Sequence, residues 1–151
     1  MVRKGAAMKK RARKHLTDEE IEHFRQRLLA LKRDILATIS EIEDEALRED
    51  RTGPTGPGAA EPGDLVDKGT QYYERDKALG LAESERKILQ EIDRALAKIE
   101  EGSYGICEGT GKPIAKKRLE AVPYARYCTE YARQMEKQTP RGSGPVRRIL
   151  Y

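Results

Sequence analysis

The sequence predicts a mainly α-helical protein: a long antiparallel coiled-coil hairpin, then a small zinc-finger-like globular part and a C-terminal helix. Three observations support this prediction. Two long segments carry apolar residues at steps of three and four, a segment rich in Gly and Pro separates them, and two Cys at the spacing of a metal site follow the second. With 151 residues, one Phe and no Trp, the chain can form a modest core but no large enclosed active site.

The first element is a basic arm, residues 1–16, with seven Lys and Arg and no acid. A run of like charges favours a flexible, solvated arm, and a weak contact with nucleic acid is its alternative role. The arm lacks the apolar region of a secretion signal, and no stretch approaches the roughly 18 apolar residues of a membrane span. We therefore expect a cytoplasmic protein whose cysteines form no disulfide.

The first helix is predicted to begin at Thr17, because Thr17 and Glu20 have the spacing of a capping box. It runs to about residue 50. Its apolar stripe consists of Ile21, Phe24, Leu28, Leu31, Ile35, Ile39, Ile42 and Ala46.

A second helix of similar length is predicted to end near Gly102. Its stripe consists of Ala78, Leu81, Ala82, Leu89, Ile92, Leu96 and Ile99. Residues 51–64, half of them Gly or Pro, cannot continue either helix, so the tip of the hairpin is predicted at residues 51–70. Since each helix has one apolar seam, the two pair antiparallel and the hairpin covers residues 17–102.

Two acids stand where the second helix starts. Asp64 can cap the helix, and Asp67 lies in its first turn, where the helix dipole favours a negative charge. On residue type alone, this capping role is the preferred interpretation of both.

The globular part, residues 103–137, is predicted to be a degenerate zinc finger. Cys107 and Thr110, then Cys128 and Tyr131, keep the frame of two C-x-x-C pairs separated by 17 residues. That frame is a strong structural-zinc signature when all four residues are thiolates, but here only two are. Zinc is therefore not expected, and no other cofactor is indicated. A flexible basic tail, residues 138–151, follows.

The charges are unevenly distributed along the chain. Residues 17–102 carry 13 bases and 22 acids, whereas residues 103–151 carry ten bases and four acids. If the chain folds back on itself, the two basic ends meet at one pole and the acids collect at the other.

The order of these pieces resembles the DksA/TraR family of bacterial transcription factors. The resemblance spans about residues 17–137. At the tip it consists of Asp64, Asp67 and Gly69, which occupy the three defined positions of the family's D-x-x-D-x-A pattern. In the globular part it consists of Gly105, Cys107, Gly111, Ile114, Arg118, Leu119, Glu120, Ala121, Pro123 and Cys128.

This resemblance implies a protein that binds RNA polymerase and catalyses no reaction of its own. Family members insert the hairpin into the secondary channel of the polymerase, so that Asp64, Asp67 and Gly69 would approach the active-site region and alter initiation. The charge pattern agrees, because residues 40–67 carry nine acids and two bases and would be repelled by the phosphates of DNA.

The chain departs from the family pattern at three places. Thr110 and Tyr131 replace zinc ligands, so Cys107 and Cys128 are expected to be small inert residues, with a redox role less favoured. Gly69 replaces an Ala, which loosens the first turn by roughly 0.5–1 kcal/mol. The positions through which some members bind the alarmone ppGpp appear as Glu91, Val122 and Ala132, and because none is basic, ppGpp binding is not carried over.

Two other classes of function stay open. The first is a nucleic-acid-binding protein that uses its basic ends as a phosphate clamp and its hairpin for dimerisation. The second is a structural coiled-coil adaptor. An enzyme is least expected, since His15 and His23 are the only histidines and no nucleophile and base pair or phosphate loop is recognisable. Neither a small-molecule substrate nor a membrane is indicated.

Overall fold

The computed structural model describes residues 15–51 and 64–138 of the chain. The described part contains four α-helices: α1 (Asp18–Arg51), α2 (Asp64–Glu101), α3 (Lys116–Ala121) and α4 (Thr129–Gln138). Its one β-bridge pairs Ile106 with Pro113, and the described residues form no strand. The prediction of a mainly α-helical fold is confirmed. Most of the basic arm, residues 52–63 of the tip and nearly all of the basic tail lie outside the described residues.

The start of α1 is the predicted capping box. The Thr17 amide donates to Glu20 Oε2 at 2.8 Å, and the Glu20 amide donates to Thr17 Oγ1 at 3.2 Å. Glu20 also accepts a hydrogen bond from Lys116 Nζ at 2.6 Å. The bonds from Lys116 and Thr17 lower the pKa of this carboxyl group. The first turn of α1 is thereby tied to the start of α3.

The end of α2 is set by Gly102, whose φ of 74° lies in the left-handed region. The Gly102 amide donates to the Ile99 carbonyl at 3.2 Å, and the Ser103 amide donates to the Lys98 carbonyl at 2.9 Å. These two bonds form a Schellman motif, which satisfies carbonyls that the helix end leaves unpaired. The predicted end near Gly102 is confirmed.

The two long helices run antiparallel and form the expected hairpin. Near the open end of the hairpin, the Phe24 ring packs against that of Tyr104, which follows α2, and Lys32, further along α1, pairs with Asp93, earlier in the chain than Tyr104, at 2.7 Å. Within residues 33–87, Glu43 of α1 pairs with Arg86 of α2. The chain divides into two compact units: residues 33–87, and the remainder at both ends. The seam side chains buried within residues 33–87 are Ile39, Ala46 and Ala82.

One residue of the predicted second stripe is misplaced. Leu81 is 45% exposed, while its neighbour Ala82 is fully buried. Adjacent residues on a helix point about 100° apart, so a seam that contains Ala82 leaves Leu81 at its side. The prediction that Leu81 faces the partner helix is wrong.

The other unit has a core of large side chains. Its fully buried ones are Leu16, Leu28, Ile92, Ile114, Leu119 and Cys107. The rings of Phe24 and Tyr104 pack 5.8 Å apart, and the Tyr104 hydroxyl donates to the Pro123 carbonyl at 2.7 Å. Burial raises the pKa of Tyr104, so this hydroxyl remains a hydrogen-bond donor.

Within the described ranges, no helix is both long enough and apolar enough to cross a membrane.

Replacing Gly80 with Ala should stabilise the protein. Gly80 lies inside α2, and a Cβ atom added there would have no atom within 4 Å. Alanine therefore gains helix propensity without a clash, about 0.8–1 kcal/mol. The expected result is a rise in Tm of about 2–4 °C, measured by circular dichroism.

The matched control is Gly105→Ala. Gly105 has a φ of 83°, and a Cβ atom there would lie 2.8 Å from Leu16 Cδ1, so the same substitution should lower the Tm. A lower Tm for Gly80→Ala would contradict the assignment of Gly80 to an unobstructed helix interior.

Candidate functional site

The degenerate finger is built from two loops that follow α2 and α3. In the first loop, the Cys107 amide donates to the Lys112 carbonyl at 2.8 Å, and the Gly111 amide donates to the Cys107 carbonyl at 2.9 Å. Gly111 has a φ of 68°, a conformation that glycine adopts at little cost. The second loop contributes Cys128, which directly precedes α4.

The four positions of the zinc frame are brought together in part by direct contacts. The Cys128 amide donates to Cys107 Sγ at 3.2 Å, and Thr110 Oγ1 lies 3.7 Å from Cys128 Sγ. Tyr131, from the first turns of α4, lies against the first loop, because a Cβ atom added at Gly109 would overlap its ring. The sequence spacing correctly indicated that these segments meet.

The sulfur of Cys107 accepts a hydrogen bond from the Cys128 amide. It is fully buried, which by itself raises the pKa of a thiol. The nearby polar groups, which are the Thr110 hydroxyl and the amides of Cys128, Thr110 and Gly109, outweigh burial and lower the pKa of Cys107 to about 7. Cys107 therefore has a polar role in addition to filling space, which its residue type alone did not indicate.

The donor set does not fit a structural zinc ion. Structural zinc is held by four ligands, almost always Cys or His, in a tetrahedron. Here the frame supplies two thiols, and Thr and Tyr stand at the other two positions. Within the described ranges, no group of three or more His, Cys, Asp or Glu residues could hold a metal ion.

A second cluster beside the finger joins four charged side chains. Arg126 donates to Glu108 Oε2 through Nε at 2.9 Å and through NH2 at 2.8 Å, and it lies 3.3 Å from Glu91 Oε1. Lys98 Nζ lies 2.5 Å from Glu108 Oε1. The cluster ties the second finger loop, through Arg126, to the end of α2.

Sequence reasoning missed this cluster. Its members are separated by up to 35 positions, and no local pattern links them. In the sequence, Glu91 stands out only as a position that corresponds to a ppGpp contact in some family members. In the structure, its side chain is 14% exposed and pairs with Arg126 and Arg94. Of the other two such positions, Ala132 is buried and Val122 is half-buried.

The tip residues lie at the start of α2, which begins at Asp64. Asp64 and Asp67 are both helical, and so is Gly69, at which an added Cβ atom would have no atom within 4 Å. Next to them, Val66, Tyr72 and Tyr73 are 67–72% exposed. The functional role assigned to Asp64, Asp67 and Gly69 remains a prediction.

Comparison with known proteins decides the family. Residues 102–130 match the model of the prokaryotic dksA/traR C4-type zinc finger. The RNA polymerase-binding transcription factor DksA of Caulobacter vibrioides is 34% identical over 123 residues, which cover 82% of this chain and 80% of that protein. The chain belongs to the DksA/TraR family.

Other members of the DksA/TraR family are similar over the same region. The solved structure of transcription factor DksA2 from Pseudomonas aeruginosa matches with a TM-score of 0.67 and 30% identity, covering 80% of this chain and 86% of that one. The uncharacterized protein YteA of Bacillus subtilis is 36% identical over 139 residues, 84% of this chain but only 57% of its own length. The expected family is thus confirmed, although this DksA/TraR chain lacks two of the four cysteines that a C4-type finger requires.

The cluster predicts a dependence of stability on pH. Burial raises the pKa of Glu108, but hydrogen bonds from Lys98 and Arg126 outweigh it, and the pKa lies below the ordinary value of 4.5. A carboxyl group whose pKa falls on folding stabilises the native state above its unfolded pKa, and this stabilisation is lost as the pH falls through the folded pKa.

Glu108→Gln should therefore be less stable than the wild type at pH 7, and the difference should shrink below pH 4.5 and vanish in stronger acid. Urea unfolding between pH 7 and pH 3 measures this. Glu130→Gln is the control, since Glu130 is exposed and 4.0 Å from Lys112. A difference for Glu108→Gln that stays constant with pH would show that the ion pairs are not its cause.

Proposed function

We propose that this protein binds RNA polymerase through its helical hairpin and modulates transcription initiation, with the acids at the tip acting inside the secondary channel. The observation that carries the proposal is the extent of similarity. Relatives named RNA polymerase-binding transcription factors match about four fifths of the chain, which includes the hairpin as well as the finger. A match to the finger alone would fit many binding modules, whereas this match also extends over most of the hairpin.

The charges of the hairpin favour a protein partner over DNA. Residues 40–67 carry nine acids and two bases. In a DNA groove these carboxylates would face phosphates and be repelled. Nonspecific affinity for DNA comes mainly from the release of counterions by basic side chains, and carboxylates release none. In a polymerase channel that binds metal ions and nucleotides, an acidic tip can act on the reaction without touching the template.

Exposed apolar side chains near the tip support the same conclusion. Leu47 on α1 and Val66, Tyr72 and Tyr73 on α2 are 58–72% exposed. Tyrosine is enriched at protein interfaces, because it supplies a large apolar surface and one polar group. A purely structural coiled coil would gain nothing from leaving these side chains in water.

Capture of polymerase separates this proposal from its two alternatives. The tagged protein is incubated with a bacterial lysate that has been treated with nuclease. Retention of polymerase supports the proposed function. Loss of all binding after nuclease favours the nucleic-acid-binding class, and retention of a different protein favours an adaptor.

The tip is tested by Asp67→Asn. If Asp67 acts by its charge in the channel, this substitution should abolish most of the effect on initiation, because a charge counts for more where water is scarce. Helicity and polymerase affinity should stay near those of the wild type. In vitro transcription, circular dichroism and a binding titration measure the three properties.

Asp64→Asn serves as the control, because Asn caps a helix about as well as Asp. We expect this variant to keep most of its effect on initiation. Full activity of Asp67→Asn would mean that Asp67 is only part of a helix start, and that another part of the hairpin acts on the polymerase.

A further inference from the structure

Two finger loops that a metal joins in a C4-type site must be joined by something else in this chain. The frame keeps Cys107 in the first loop and Cys128 in the second, but the partner position in each loop has changed to Thr110 and Tyr131. With two thiols and no further thiolate or imidazole, the frame lacks half of a zinc ion's ligands. The question is whether the replacements merely fill space or take over the link.

Thr110 contacts the sulfur of the second loop. Its hydroxyl oxygen lies 3.7 Å from Cys128 Sγ, within hydrogen-bond range for sulfur, and the Cys128 amide in turn donates to Cys107 Sγ at 3.2 Å. The same hydroxyl accepts the Lys112 amide at 3.3 Å. A hydroxyl group has one proton and two lone pairs, so it can serve as donor and acceptor at once. One side chain of the first loop thus reaches the second loop at the sulfur that a metal would have held.

Tyr131 closes the remaining side. Its ring occupies the space above Gly109, where any Cβ atom would overlap it. The ring packs 5.0 Å from that of Tyr127, and the guanidinium group of Arg126 lies 5.2 Å from the centre of the Tyr127 ring. Gly109 and Tyr131 are therefore matched across the two loops, since the ring fits only where the facing residue has no side chain.

We propose that Thr110 and Tyr131 replace the metal of the finger: the Thr110 hydroxyl links the first loop to the Cys128 sulfur of the second, and the Tyr131 ring, seated on Gly109, covers the position that the fourth ligand would occupy. The finger closes without zinc, and the backbone still presents four positions in the frame of a metal site. Restoring thiols at these two positions should therefore create a zinc site.

The link is tested by two substitutions at one position. Thr110→Val has nearly the same shape but no hydroxyl, whereas Thr110→Ser keeps the hydroxyl. In Thr110→Val the amide of Cys128 should exchange with deuterium at least tenfold faster than in the wild type, and the Tm should fall by roughly 2–6 °C. Thr110→Ser should keep most of the protection. Equal protection in Thr110→Val and the wild type would overturn the role of the hydroxyl.

The replacement is tested by the double substitution Thr110→Cys/Tyr131→Cys. We expect it to bind one equivalent of zinc, and Co²⁺ in its place should give the thiolate charge-transfer bands and visible absorption of a tetrahedral site. Thr110→Cys/Thr129→Cys also adds two thiols, one of them outside the frame, and should not give this spectrum. Absence of a tetrahedral Co²⁺ spectrum in the folded Thr110→Cys/Tyr131→Cys variant would contradict a preserved frame.

The wild-type protein supplies the third arm. Expressed in zinc-supplemented medium and dialysed, it should contain less than a tenth of an equivalent of zinc, and a chelator should leave its Tm unchanged. One equivalent of bound zinc, or a Tm lowered by chelator, would overturn the proposal whatever the variants do. If the double Cys variant fails to fold, the proposal is still tested by the comparison of Thr110→Val with Thr110→Ser and by the zinc content of the wild-type protein.

Discussion

The close packing of Gly105 beneath Leu16 and Leu119 is the constraint on which the finger depends. A residue with a Cβ atom is disfavoured there, because that atom would lie 2.8 Å from Leu16 Cδ1 and the φ of 83° is one that residues other than glycine rarely adopt; Leu119 Cδ1 would be in ordinary contact at 3.7 Å. This contact joins the segment before α1 to the first finger loop and to α3. The six largest fully buried side chains all belong to the same unit of the chain. The finger is thus part of a leucine- and isoleucine-rich core, whose apolar burial stabilises the two finger loops.

The rest of the hairpin is built differently. In residues 33–87 the buried seam contains two alanines and one isoleucine among its described side chains, while Leu36, Leu47, Leu79 and Leu81 are at least 44% exposed. Burying alanine removes much less apolar area from water than burying leucine, so this unit gains less free energy from its seam. Local opening is easier where apolar contacts are few. Residues 33–87 therefore leave leucines and tyrosines exposed that a binding partner could cover.

Local patterns in the sequence predicted most of the fold. The capping box at Thr17 depends on bonds between backbone amides and nearby side chains, and the end of α2 at Gly102 depends on backbone hydrogen bonds between near neighbours, so the local residue types reveal both. The seam was predicted except at Leu81: the stripe included both Leu81 and Ala82, but these neighbours point about 100° apart, and the structure buries Ala82 and leaves Leu81 45% exposed. The cluster of Arg126, Glu108 and Lys98 was not predictable, since it forms only after distant segments have packed.

The two cysteines illustrate what spacing reveals and what it leaves open. Spacing indicated that Cys107 and Cys128 come from loops that meet, and the Cys128 amide indeed donates to Cys107 Sγ at 3.2 Å. It could not show that the two thiols differ. Cys107 is fully buried and accepts a hydrogen bond from the Cys128 amide, so an alanine there would leave that donor without its partner. Cys128 is half-buried, and its sulfur contacts the Thr110 hydroxyl. Cys107 is thus a hydrogen-bond acceptor in the first loop, and Cys128 is the residue of the second loop that the Thr110 side chain contacts. A thiol can fill either role without a metal.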